Sequence, residues 1–432
     1  MLVGHRERRV AVIGGARIPF ARSMGAYAEC TNQQMLTAAL QAVVDKFSLG
    51  GQRLGDVGAG AVLKSARDFN LTREAVLGTT LDPHTPAFDL QRACGTSLET
   101  AILLGLKIAS GQIECGIAAG VDTASDAPIG VNENLRQIML RSARGRSLAG
   151  RLRPWLGVRP SHLFKLDFPS VIEPRTGLTM GQSCELMAKR WNIGREEQDR
   201  LALESHRRAA RAYDAGFFAD LVVEYQGLRQ DNNLRRDTTL EKLAALRPAF
   251  PMQGSATLTA GNSTPMTDGA AAVLLAAEDW ARARALPVQA WLTFGKVAAV
   301  DFVKGEGLLM APAYAVARML EDAGLTLQDF DFYEIHEAFA AQVLCTLKAW
   351  ESPEYCRERL GLEQPLGAID RSRLNVNGSS LAVGHPFAAT GARIVATLAK
   401  LLEQRGSGRG LISICTAGGM GVTAILERPP QP

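Results

Sequence analysis

Unbroken apolar runs of strand length alternate along the chain with segments whose apolar residues recur at helical spacing. "RRVAVIGG" (8–15) reads as a strand, and "TNQQMLTAALQAVVDKF" (31–47) as a helix with Thr31 or Asn32 at its N-cap. Further strands are predicted in "ECGIAAGVD", "AAAVLLAA", "VQAWLTFGKVAAV", "DFDFYEI" and "GLISIC", separated by helix-length segments. This βαβ rhythm argues an α/β fold with buried sheets. "GSGRG" (406–410) is a turn between helix and strand, not a linker.

One pattern occurs twice. "CGTSLETAILLGLKIASGQIECGIAAGVD" runs from Cys94 through a helix and a turn into an apolar strand, and "GHPFAATGARIVATLAKLLEQRGSGRGLISICTAGG" does the same from His385. The chain is therefore read as two related halves, 7–128 completed by 256–284, and 285–432. A pseudo-twofold between them would bring Cys94 and His385 together at equivalent helix starts. Residues 129–255 break the rhythm and read as an insertion, with an amphipathic helical stretch in "GREEQDRLALESHRRAARAYDAGF".

Composition changes this picture little. At 432 residues, 47% hydrophobic and 21% charged, with a net charge of +4, the chain is an ordinary globular one and gives no sign of binding nucleic acid. Seven cysteines without CxxC spacing suggest reduced thiols and a cytoplasmic protein. Six histidines without ligand-type spacing to cysteine give no reason to expect a metal. No transmembrane span or targeting segment is expected.

Cys94 precedes an apolar-periodic helix, whose N-terminal N–H groups favour a thiolate; the competing reading is a small buried hydrophobe. In "GHPFAATGAR", Pro386 suits the first helical position, so His385 would sit at the helix entrance and could serve as a base. Cys415 leaves an apolar strand into "TAGG", where glycines let backbone N–H groups face a ligand oxygen. "YEIHEAFAAQ" puts His336 and Glu337 where a strand meets a helix; the plainer alternative is a helix-capping pair.

Taken together, a cysteine, HEAF, GHP and a C-terminal cysteine with a glycine turn, in this order, resemble the thiolase superfamily over nearly the whole chain. His336 stands where most thiolases carry Asn, and Ala417 where most carry Gly. Both forms, and "EPRTGLTMGQSCELMAKRW", are similar to the β-subunit group of fatty-acid oxidation complexes. The resemblance implies two duplicated βαβαβαββ halves in a five-layered α-β-α-β-α core, with an inserted loop domain that binds CoA and acyl groups. It implies degradative thiolysis of a 3-ketoacyl-CoA, with coenzyme A as substrate and no cofactor.

By the same resemblance Cys94 is the nucleophile, His385 its activator and Cys415 the acid and base for the acetyl-CoA carbanion and incoming CoA. His336 holds a water in the enolate site. Backbone N–H groups of Cys94 and of the turn at Ala417, Gly418 and Gly419 form the second oxyanion site, and Glu337 orients the network. Met180, Ala260 and Thr264 would line the pantetheine tunnel. A biosynthetic acetoacetyl-CoA thiolase, or a non-catalytic acyl-CoA-binding protein of this fold, are the alternatives; a ketoacyl synthase would lack Cys415. A homodimer is expected. Between Arg136 and Lys165 lie eight cationic side chains and no acidic one, among bulky apolar residues. This stretch is expected to be either a solvated arm with its apolar residues packed down, or a surface for a membrane or for a hydratase/dehydrogenase α-subunit.

Overall fold

The computed structural model describes residues 8–250, 252 and 256–430, so the expected boundaries at 7, 255 and 432 fall outside the described residues. In the first half the order is β1 (Val10–Arg17), α1 (Asn32–Lys46), β2 (Asp56–Ala59), the short helix Leu71–Leu77, β3 (Ala87–Asp89), α2 (Thr96–Ala109), β4 (Cys115–Asp122) and, after the insertion, β5 (Thr267–Ala277). The second half follows with β6 (Ala290–Ala299), α3 (Ala311–Ala323), β7 (Phe332–Ile335), α4 (Ala340–Glu351), α5 (Thr390–Arg405), β8 (Gly408–Thr416) and β9 (Met420–Arg428). Thr31 caps α1, accepting from Gln34 N–H while the Gln34 side chain returns the bond.

The ten-stranded sheet runs β7-β8-β9-β6-β1-β5-β4-β2-β3, and the two-residue strand Ala21–Arg22 pairs with β5 off this path. Read outward from the β1–β6 junction, the halves have the same strand order, with the last strand of each ββ pair next to the first strand. Where the first half has β3 parallel to β2, the second has only a parallel bridge between Tyr333 and Leu374. The duplication is real, but the second half has lost most of one strand. Both α2 and α5 touch strands of each half, which makes them the central helical layer.

The two central helices meet at their N-terminal ends. A side chain at Gly391 would collide with the Leu98 backbone, so glycine allows the close approach. Ser97 Oγ donates to Ala388 O at 2.5 Å and accepts from Ala392 N–H at 2.8 Å. Between β4 and β5 the chain leaves the sheet. Its helices Met180–Arg190 and Arg195–Asp214 pack on α4, so this part of the insertion is bound to the second half. The segment 133–164 forms helices Glu133–Ala143, Leu148–Leu152 and Pro160–Phe164 joined by a 3-10 turn.

Leu135 and Ile138 of that segment are buried, but most of its apolar residues beyond the first helix are not packed down. Leu148, Leu156 and Phe164 are 79%, 88% and 84% exposed, with Leu152, Leu163 and Phe168 also open to solvent. Only Arg136 of its eight cations has an ion-pair partner, Glu133, among the described residues. The expectation of a solvated arm with its apolar residues packed down therefore holds for the first helix and is corrected for residues 148–164.

Candidate active site

Three side chains from distant parts of the chain converge where the central helices meet. Cys94 Sγ and one nitrogen each of His336 and His385 lie within 4.8 Å of one another, and the imidazole centroids are 4.1 Å apart. Cys94 lies two residues before α2, reached through Ala93 at φ 43°, a left-handed conformation that costs a non-glycine residue about 1–3 kcal/mol. His385 follows Gly384 at φ 105°; a 3-10 turn, Phe387–Ala389, separates it from α5. Pro386 caps that turn and does not open the α-helix, which corrects its expected position. His336 follows β7, and α4 begins only at Ala340.

Each imidazole is held by one nitrogen. His385 Nδ1 lies 2.6 Å from Thr390 Oγ1, and His336 Nδ1 lies 2.8 Å from Ser380 Oγ. Both Nε2 atoms are buried without a protein partner, which leaves them for a substrate oxygen or a proton. The clustered donor atoms are spaced as they would be around a metal ion. The buried Arg393 guanidinium behind them opposes a dication, and we read the group as acid–base machinery.

Electrostatics correct one expectation. Burial pushes the Cys94 thiol up to about 12, outweighing the opposing pull of the Ala417 and Cys94 N–H groups aimed at its sulfur. Burial, with Arg393 adding to it, pushes His385 down to about 3. The resting pair is a neutral thiol beside a neutral imidazole, not a thiolate stabilised by the helix. Cys415, at the end of β8, is buried and raised by desolvation and by its proximity to Cys94.

The glycine turn differs from expectation too. The N–H groups bearing on Cys94 Sγ are its own and that of Ala417. Gly418, at φ 76°, turns its N–H to Glu173 Oε1 at 2.7 Å, so it does not face the sulfur. Gly419 faces Phe302 and is bonded through its carbonyl to Val300 N–H. Glu173 opens the stretch "EPRTGLTMGQSCELMAKRW", but nothing in that stretch marks it as a partner of Gly418.

Glu337 is buried and accepts from Ser205 Oγ, Asn375 Nδ2 and Leu381 N–H. It braces the backbone around Ser380 instead of capping a helix. A cavity of about 640 Å³ reaches Glu337 from the outer face of Arg195–Asp214, away from Cys94. Thr264 ties its loop to HEAF, with N–H and Oγ1 both donating to Ala338 O at 3.1 Å. Ala260 lines a second cavity, of about 590 Å³, with Arg22, His206, Arg235 and Lys242. Burial first, then the charges of Arg235 and Arg22, push His206 down to about 4, and Asp237 in the same lining pairs with Lys242. Met180 opens its helix, half-buried, and does not line that cavity. The structure thus groups Cys94, His336, His385, Cys415 and Ala417 and sets Ala260 with the cations apart from them.

A buried thiol, two imidazoles with free nitrogens and main-chain N–H groups near the sulfur are the groups that acyl transfer requires. Residues 10–279 match the thiolase N-terminal domain and 288–428 the thiolase C-terminal domain. The chain belongs to the thiolase family. It is 39% identical to a 3-ketoacyl-CoA thiolase of Yersinia pestis (strain Pestoides F), over 99% of this chain and 98% of that one. Among solved structures it is similar to human mitochondrial 3-ketoacyl-CoA thiolase in complex with CoA, with TM-score 0.80 and 28% identity over 98% of each chain. It is equally similar to the Bacillus anthracis acetyl-CoA acetyltransferase, with TM-score 0.80 and 28% identity over 98% of this chain and all of that one.

Proposed function

We propose that the protein is a degradative 3-ketoacyl-CoA thiolase acting in fatty-acid β-oxidation. The observation that carries this reading is the convergence of Cys94, His336 and His385 beside the Ala417 N–H. His385 Nε2 takes the Cys94 proton as sulfur attacks the 3-keto carbon. The new oxyanion is held by the N–H groups of Cys94 and Ala417. The C2–C3 bond then breaks, leaving the acyl group on Cys94 and the enolate of acetyl-CoA facing His385 and a water on His336. Cys415 gives that carbanion its proton. It then takes the proton of an incoming CoA thiol, whose sulfur displaces the acyl group from Cys94, and His385 Nε2 returns its proton to the departing Cys94 sulfur. Because both thiols rest protonated, charge exists only transiently, inside a site that stabilises it.

Arg22, Arg235 and Lys242 suit the CoA phosphates, since Arg235 has no ion-pair partner among the described residues and Ala260 lies in the same cavity. The functional form is taken to be a cytoplasmic homodimer. The exposed apolar and cationic surface of 136–165 is assigned to an anionic membrane, with an α-subunit as the competing occupant.

Mass spectrometry after mixing with 3-ketoacyl-CoAs of increasing length tests the chemistry. Cys94→Ala should show no acyl-enzyme, whereas Cys415→Ala should acylate partly and not turn over. Label on Cys415 and none on Cys94 would overturn the assignment.

A further inference from the structure

The two imidazoles make the same bond, a hydroxyl on Nδ1, but what stands behind each hydroxyl differs. Behind Ser380 is Arg393, whose Nη2 donates to Ser380 Oγ at 2.8 Å and whose Nη1 and Nη2 reach Ser379 Oγ at 3.3 Å. Ser380 is fully buried and Arg393 is 4% exposed. Among the described residues, Ser380 Oγ has no hydrogen-bond partners besides Arg393 and His336 Nδ1.

We propose that Arg393 and Ser380 are positioning residues that fix the tautomer of His336, so that it presents Nε2–H to the water it holds in the enolate site. Guanidinium has donors only, so Ser380 must accept from it. The hydroxyl's single proton then has one acceptor left, His336 Nδ1. The other tautomer, with Nδ1–H donating to Ser380, would strand a buried hydroxyl proton and present a bare lone pair to the water of the enolate site, competing with the enolate oxygen for that water's protons. Thr390, behind His385, carries no such cation among the described residues and bonds only His385 Nδ1 through its hydroxyl. That hydroxyl can give or take a proton, so His385 is free to gain and lose one at Nε2. One imidazole is thus a fixed donor and its neighbour an exchangeable base.

The charge of Arg393 supports the same division. It makes no ion pair among the described residues, and burial pushes nearby Glu334 up to about 8 against the opposing pull of Arg393, while Glu337, also raised by burial, lies near the same guanidinium. Burial depresses both histidines, and the positive charge of Arg393 adds to it and favours an anion in front of them.

The inference rests on the proposed role of His336 in the enolate site, and the tautomer can be read without any activity. In histidine ¹⁵N-labelled protein, two-bond ¹⁵N–¹H correlations should show His336 protonated at Nε2, assigned by the loss of its signals in His336→Asn. In Ser380→Ala the population should shift toward Nδ1–H. In thiolysis, Ser380→Ala should lower kcat about 10-fold or more with KM little changed, and Ser380→Thr should restore most of it. In a His336→Asn background, Ser380→Ala should cost less than about twofold, because an amide has no tautomer to set. A wild-type Nδ1–H signal, or the same Ser380→Ala loss in both backgrounds, would overturn the proposal. A tautomer that follows Ser380 while kcat does not would uphold the relay and refute His336's role in the enolate site.

Discussion

Replacing Glu173 by alanine is expected to slow turnover while leaving CoA binding nearly intact. Its carboxylate is 8% exposed and accepts the Gly418 N–H at 2.7 Å. A hydrogen bond to a charged acceptor contributes about 1.5–3 kcal/mol, and a neutral one about 1 kcal/mol. That bond fixes the peptide next to Ala417, whose own N–H bears on the reacting sulfur. Full loss of an oxyanion donor costs about 2.7–4 kcal/mol. Loosening the turn should forfeit part of this, a roughly 10- to 100-fold fall in kcat. Glutamine keeps an acceptor oxygen without the charge and should lose only about 3- to 10-fold. Steady-state thiolysis at saturating 3-ketoacyl-CoA, with CoA varied, separates kcat from KM, and a thermal scan checks that the variants are folded. If folded Glu173→Ala keeps kcat within about twofold of wild type, or raises only KM, the carboxylate does not hold the turn.

Other consequences can be measured directly. His336→Ala should lower kcat by roughly 10²–10³, with His336→Asn recovering part; an unchanged alanine variant would remove His336 from the enolate site. His385 is depressed to about 3 and Cys94 raised to about 12, so neither changes protonation between pH 5 and 8. The acylation rate of the Cys415→Ala variant should be flat across that range, with no thiolate absorbance from Cys94; such absorbance at pH 7 would restore the ion pair. Replacing Arg141, Arg144, Arg146, Arg151 and Arg153 by Gln should weaken salt-sensitive sedimentation with anionic liposomes and spare short-chain thiolysis. Unaltered sedimentation would count against the membrane surface.

Strands β1 and β4–β8, the duplication and the converging side chains Cys94, His336, His385 and Cys415 were legible because each left a local mark: an apolar run, a cap such as Thr31, or a motif; the short β2 and β3 left none. What was not legible depends on burial and on contacts across the chain. The helix-dipole argument for a Cys94 thiolate failed because desolvation, invisible in the sequence, outweighs a few N–H dipoles. Arg393, in "ATGARIVATLAK", reads as an ordinary helical arginine; it is buried because α5 is enclosed between the halves. Glu173 meets Gly418 across 245 residues, a pairing that no periodicity reports. The apolar residues at 148–168 were ambiguous for the opposite reason, since sequence pattern alone does not distinguish a covered face from an open one.

The docking of α2 against α5 at Gly391 and Ser97 also bears on how the enzyme comes into being. On the proposed assignment the nucleophile belongs to the first half and its base, acid and enolate donor to the second, so neither half alone holds a working centre. Contacts this distant in sequence form late, because the intervening chain must be ordered first. During synthesis the Cys94 thiol therefore remains an unactivated side chain until the second half closes over it. Recovery of activity on refolding should then report the joining of the halves, not the folding of either.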